Sequence, residues 1–196
     1  PALKYLQYWL NLHGRITWII MIKPSRKDSI DLITLVRKKD LFYLPNEESL
    51  FTGYYHWHYE NGNIAEEGYI KNGQYHGKIR LYNEEGELMV NANYRNGKKY
   101  GFTQTYYDNG QIKAEFTLVN EKREGRMKVW YENGNKKYEA FFKNDKLNGK
   151  QTKYYQNGKK YYEAEFRENL EHGRKTVWKE NGEVLFRGIF EDGELC

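Results

Sequence analysis

The chain has little of what most small domains depend on. One cysteine, Cys196, stands among its 196 residues, which excludes a disulfide framework and a cysteine-built zinc site. Three prolines exclude a collagen-like chain. No apolar run reaches the 18 residues or so that a membrane-spanning helix needs. Leu, Ile, Val and Phe together number 42, thin for a thick globular core, and the mean hydropathy of −0.99 says the same. No Asn-x-Ser/Thr acceptor occurs. These absences fit a reduced, unglycosylated compartment; the expected location is cytoplasmic, or envelope-associated if the native start carries a signal or anchor. What is abundant is aromatic: 19 Tyr, 9 Phe and 5 Trp at a net charge of only +5. That much ring area, at so low a net charge, argues against disorder.

A pI near 9.0 raises the question of nucleic acid. Residues 1–53 hold 8 Lys+Arg against 5 Asp+Glu, and residues 54–196 hold 24 against 22. Acid and base alternate along the chain, as on a solvated sheet face. A nucleic-acid surface needs clustered cations to displace counterions, so nucleic-acid binding, such as an RNA laid along the rings described below, is a minority reading.

A fixed period organises most of the chain. Glycines at 62, 86, 110, 134, 158 and 182 are spaced by 24, and so are those at 53, 77, 101, 125, 149 and 173. Six ungapped units follow: 54–77, 78–101, 102–125, 126–149, 150–173 and 174–196. Each reads as a β-hairpin around Glu-Asn-Gly or a relative of it. Asn-Gly is the preferred centre of a two-residue type I′ turn, and that turn predicts Tyr59 opposite Ile64, Tyr107 opposite Ile112, Tyr131 opposite Lys136 and Tyr155 opposite Lys160. Further from the turn it predicts Leu81 opposite Val90, Val129 opposite Tyr138 and Val177 opposite Phe186. One face thereby collects apolar pairs and continues with Ile70, Tyr94, Leu118, Phe142, Phe166 and Phe190. A second turn, Asn72-Gly73 or Asn96-Gly97 and their counterparts, leads to the next hairpin. Glu121, Asp145 and Asn169 replace its glycine, which suggests another turn type there.

The run Gly68-Tyr-Ile70-Lys-Asn72-Gly73-Gln-Tyr-His76-Gly77, and its counterpart from Ala92 to Gly101, resembles the MORN repeat (membrane occupation and recognition nexus). The 24-residue period and the inserted Tyr-Glu-Asn-Gly segment resemble the bacterial variant found in YwqK-type antitoxin or immunity proteins. The stretch from Asp40 to Gly53 is similar to the lead-in of that variant. The resemblance and the period together predict an all-β chain: an elongated single-layer antiparallel meander of six to seven hairpins. Residues 54–196 supply six repeats, 30–53 a degenerate first one, and 1–29 a cap. In that cap, Leu3, Leu6 and Leu10 with Tyr5 and Trp9 suit a short amphipathic helix, followed by an apolar segment from Ile16 to Ile22. A truncated secretory or anchor segment is the competing reading of 1–29.

No catalytic apparatus is legible. Asn144 to Gln151 lacks the first glycine and the Ser/Thr of a phosphate-binding loop, and no kinase signature occurs. Serine is confined to Ser25, Ser29 and Ser49. The chain is therefore expected not to be an enzyme and to need no cofactor. His56 and His58, two apart on a strand, point to one face, a spacing that suits a metal. No third ligand is fixed in sequence, although Glu67 should face His56, and ordinary surface histidines are the simpler reading.

The face opposite the apolar one carries a ring at the fifth position of every unit. After His58 come Tyr82, Tyr106, Trp130, Tyr154 and Trp178. Lys128 is expected to pair with Glu139 beside Trp130, and Lys113 and Lys137 to lie across from rings. The rings either cover lysine stems and backbone on a thin sheet or form a recognition stripe of the kind interfaces use. The resemblance implies a non-catalytic interaction module, similar to immunity components, whose partner is a protein such as a toxin or effector. A structural or envelope-associated protein that binds lipid or glycan is the alternative. Dimerisation through the open sheet edge is a further expectation.

Overall fold

Alternation with a period of two, broken every dozen residues by Asn, Gly and Asp, leaves the backbone few choices other than short antiparallel strands. The computed structural model describes residues 6–10, 16–20 and 28–196. Strand β1 (Leu6–Leu10) pairs antiparallel with β2 (Ile16–Ile20). The helix expected over Leu3–Leu10 is thus a strand across its described part. Alternating apolar residues beside a second β-branched run find backbone partners that a lone two-turn helix lacks.

Strand β3 (Ile30–Asp31) lies parallel to β6 (Gly53–His58), and a 3₁₀ turn follows at Leu32–Thr34. Strands β4 (Val36–Lys38) and β5 (Leu41–Tyr43) form a small separate hairpin. From β6 onward one antiparallel sheet runs to the end of the chain. β6 pairs with β7 (Ile64–Lys71), and five further hairpins continue it. They are Gly77–Tyr82 with Leu88–Arg95, Gly101–Tyr106 with Ile112–Val119, Gly125–Trp130 with Lys136–Lys143, Lys146–Tyr154 with Lys160–Arg167, and Leu170–Trp178 with Val184–Glu191. Twelve long strands make the expected single-layer meander. Its first strand borders β3 and its last borders only Glu194–Leu195, so the sheet is open at both ends among the described residues.

The first turn of each unit is not the two-residue type I′ turn expected from sequence. At the first turn the Tyr59 amide donates to the Asn63 carbonyl at 2.9 Å and the Gly62 amide to the Tyr59 carbonyl at 3.0 Å. This is a three-residue loop with Gly62 left-handed at φ 86°, the type I turn plus bulge that three-residue hairpins use. Asn61 keeps an ordinary φ, and its Oδ1 accepts from the Asn63 amide at 2.9 Å. The extra loop residue places His58, not Tyr59, opposite Ile64, and likewise Tyr106 opposite Ile112, Trp130 opposite Lys136 and Tyr154 opposite Lys160. A bulge one residue further on restores the register, so Leu81–Val90, Val129–Tyr138 and Val177–Phe186 pair as expected.

The type I′ geometry belongs to the second turn. Asn72 and Gly73 both have positive φ between the paired Lys71 and Gln74. Units without glycine there keep the same turn: Asn120–Glu121, Asn144–Asp145 and Glu168–Asn169 are all left-handed. Two replacements gain a tie to the preceding unit, Asp145 Oδ1 accepting the Arg123 amide at 2.9 Å and Asn169 Oδ1 the Leu147 amide at 2.7 Å.

The core lies at the N-terminal end of the apolar face. Leu35, Phe42 and Phe51 cover Tyr55, Ile70 and Ile79, with Tyr75 and Tyr94 at the margin. Backbone bonds fasten the cover: the Phe42 amide donates to the Gly73 carbonyl at 2.9 Å and the Gly73 amide to the Phe51 carbonyl at 2.8 Å. Later units repeat the second bond, as from Asp145 to Arg123 and Asn169 to Leu147. Phe51 thus holds the place that Arg123 and Leu147 hold further along.

Candidate functional site

Hairpin geometry alone places a polar row along the face opposite the core. The fourteenth residue of each unit pairs with the third of its own hairpin and the third of the next. Glu67, for example, stands between His56 and Arg80, and Glu139 between Lys128 and Thr152. From His56 to Arg187 the row crosses every long strand. Arg80 binds Glu67 at 2.9 Å, Gln104 donates to Glu115 at 3.0 Å, and Lys150 and Lys160 hold Glu163 at 3.1 and 2.7 Å. Glu139 is gripped by Arg126 and by Lys136. The expected Lys128–Glu139 ion pair does not form. The two residues are ladder neighbours, but Lys128 Nζ leans to Glu115, 3.8 Å away in the preceding hairpin. Burial alone would raise the carboxyls of Glu139 and Glu163. Their hydrogen bonds to Lys136 and Arg126, and to Lys160 and Lys150, outweigh it and hold both below the usual range.

Beside this row stand the rings. Tyr82, Tyr106, Trp130, Tyr154 and Trp178 close the first strands of successive hairpins on one face, all half-buried. The geometry brings them into one line, because equivalent residues lie two strands apart, about 10 Å. Their neighbours fix their poses. The Tyr82 hydroxyl donates to Glu67 at 3.0 Å and that of Tyr106 to Gln104 at 3.1 Å. Lys128 Nζ lies 5.9 Å from the Trp130 ring and Lys136 Nζ 5.6 Å from Tyr154. Lys113 and Lys137 sit 5.3 Å over Tyr107 and Tyr131, on the other side of the sheet from the stripe. Where the row ends, Lys150, Glu163, Arg174, Trp178 and Arg187 border a shallow depression of about 540 Å³.

Two features escaped sequence reasoning. The sixth residue of four units is Tyr59, Tyr107, Tyr131 or Tyr155, and each hydroxyl donates to the carbonyl 23 residues later, at 2.7 to 3.0 Å. The column was visible in the period; its direction across the hairpin boundary was not. The second feature is Asp31, which β3 brings beside His56. Among the described residues, Asp31, His56 and His58 are the group whose ligand atoms all lie within 4.8 Å of one another. Glu67, the third ligand considered from sequence, is engaged by Arg80 and Tyr82.

Among the described residues no helix is long and apolar enough to cross a membrane. No curated protein matches the chain. Four stretches, residues 51–72, 103–120, 123–144 and 147–168, match the MORN repeat variant, and over them the 24-residue hairpins carry that repeat.

Proposed function

We propose that the protein is a non-catalytic module that holds a protein partner, such as a toxin or effector, along its ring stripe. One observation carries the reading: five half-buried rings stand in register beside a row of carboxylates whose charges are already paired. Ring positions set by the sheet ladder need not be ordered on binding, so little of the contact energy is lost to it. Trp and Tyr bring large area at low rotamer cost, and the interleaved ion pairs keep the free face soluble. Attachment to lipid or glycan, association with RNA, and pairing of two copies at the open edge are the competing outcomes.

The test places a photo-crosslinking residue at Tyr106 on the stripe or at Lys137 on the other face, in native lysate. A protein adduct from position 106 and none from 137 is expected. With that partner, Trp130→Ala should weaken binding by at least ~2 kcal/mol with an unchanged circular dichroism spectrum, since hot spots concentrate centrally. Trp178→Ala, nearer the edge, should cost less. Unchanged affinity for Trp130→Ala moves the contact off this face. A steep salt dependence with polyanions would favour RNA instead.

A further inference from the structure

At the covered end the strand alternation and one parallel pairing assemble a donor set that the repeat does not contain elsewhere. His56 and His58 point to the same face of β6, with ring centroids 4.8 Å apart. Asp31 is the ladder partner of His56. Its Oδ1 caps the 3₁₀ turn by accepting the Ile33 amide at 3.2 Å, and its second oxygen remains for another contact. Ser29 Oγ sits 2.8 Å from Nδ1 of His56, which orients the ring and leaves Nε2 as the ligand atom. The three side chains are half-buried, and the two imidazoles border a pocket of about 230 Å³ together with Ser29, Tyr54 and Glu67.

We propose that Asp31, His56 and His58 bind a zinc-class divalent ion, with Ser29 as a positioning residue. Two imidazoles and one carboxylate suit Zn²⁺ and its neighbours, and do not suit Ca²⁺ or Mg²⁺, which take oxygen donors. Ligand atoms around a tetrahedral zinc stand about 3.4 Å apart. The observed separations, within 4.8 Å, close to that by small side-chain rotations of partly exposed residues. The fourth position is open to water or to a side chain of a partner. The ion would join the 28–51 segment to the first hairpin, since the carboxylate comes from one and both imidazoles from the other. The site lies at the head of the same face, with His58 in the column that the rings continue, but it uses none of the rings from Tyr82 to Trp178, so the failure of either reading leaves the other standing.

The experiment titrates the tag-free full chain with Zn²⁺ by calorimetry and with Co²⁺ by visible absorption. One ion per chain is expected. His58→Ala and Asp31→Asn should each weaken binding at least ten-fold, and Ser29→Ala about ten-fold. All three should keep the wild-type far-ultraviolet spectrum. Zn²⁺ should raise the melting temperature of the wild type by several degrees when present well above its Kd, and that of Asp31→Asn hardly at all. The isosteric Asp31→Asn keeps the test decisive if His58→Ala does not fold. Absence of binding overturns the proposal. So does binding that survives these variants and disappears in His76→Ala or Cys196→Ser.

Discussion

The two ends of the sheet protect the same columns of the repeat by different means. In the first two hairpins Tyr55, Ile70 and Ile79 are 1%, 0% and 3% exposed beneath Leu35, Phe42 and Phe51. In the last two, Phe166 and Phe190, which hold the place of Ile70, are only half-buried. There the cover is cationic. Lys153 lies 4.7 Å from the Tyr162 ring, and Lys175 lies 4.9 Å from Phe190 and 5.8 Å from both Tyr162 and Phe186. Arg123, 4.1 Å from Phe142, marks the change midway. A sheet one layer thick therefore does not need a second layer throughout. Long side chains can lay their stems over aromatic rings and keep their charge in water.

The comparison is broken first by truncating rings. Phe42 and Phe142, each 6% exposed, should lose ~3–5 kcal/mol on replacement by alanine, the range for fully buried aromatics. Phe166→Ala, at the open end, should lose less than half as much. Urea denaturation followed by circular dichroism measures all three. Equal losses would mean that the cationic cover buries as effectively as the apolar one. A loss well under ~1 kcal/mol for Phe142→Ala would mean that its face is not the stabilising one.

Turns sharpen the contrast next. At Gly73 a Cβ would stand 2.8 Å from Leu50 Cδ2 and 2.9 Å from the Phe42 carbonyl oxygen, at a φ of 72°. Gly73→Ala should therefore cost ~2–3 kcal/mol, from strain and crowding together, and loosen the cover. Glu121 holds the same left-handed place at φ 64°. Glu121→Gly relieves that strain and should stabilise by ~1 kcal/mol. Thermal melts decide both; a stabilised Gly73→Ala would refute the close approach.

These positions also mark how far the sequence was legible. The period, the faces and the ring column follow from residue types alone, because a strand's alternation leaves each side chain only two directions. The first turn did not follow. A three-residue loop plus a bulge returns the register to that of a two-residue loop, and the two differ only in the pairs nearest the turn. Nor could spacing choose the partner of Lys128, since Glu139 and Glu115 both lie on strands beside it. Asp31 was least accessible of all: its parallel pairing with His56 has no counterpart in the later units, so no periodicity announces it. In the stripe, the sequence identified which rings share a face, while their hydroxyl and lysine partners came only from the structure.

Opposite pH liabilities separate the regions further. Burial, with the Glu66 carboxylate nearby, raises the hydroxyl pKa of Tyr55 and Tyr75 above 10. Their contribution is complete below the unfolded tyrosine value and is lost as pH rises past it. Glu139 and Glu163 are shifted the other way, so their contribution is complete above the unfolded carboxylate value of 4.5 and is lost as pH falls through the folded values. Hydrogen exchange should show the covered end opening first at high pH and the hairpins over 126–173 opening first at low pH. The reverse order would contradict the assigned carboxylate contacts.

The smallest effect concerns the tyrosine bonds between units. Tyr59 and Tyr155 make the same contact, to the carbonyls of Tyr82 and Trp178, at 2.8 and 3.0 Å. Removing either hydroxyl deletes one hydrogen bond, worth ~0.5–1.5 kcal/mol. Stability in a stack of repeats is a sum of unit and neighbour terms, so the location of the loss matters more than its size. Tyr59 joins two hairpins that Phe42 and Phe51 already hold together through the shared core. Tyr155 joins the last two, whose remaining ties are the backbone ladder from Tyr162–Val177 to Arg167–Leu170 and side-chain contacts such as Lys175 beside Tyr162. Tyr155→Phe should therefore speed amide exchange over 174–191 several-fold while sparing the rest. Tyr59→Phe should leave exchange over 77–95 nearly unchanged. Equal local opening in the two variants would mean that the cover at the first end adds nothing to the contact between hairpins, and the difference between the ends would then lie in burial alone.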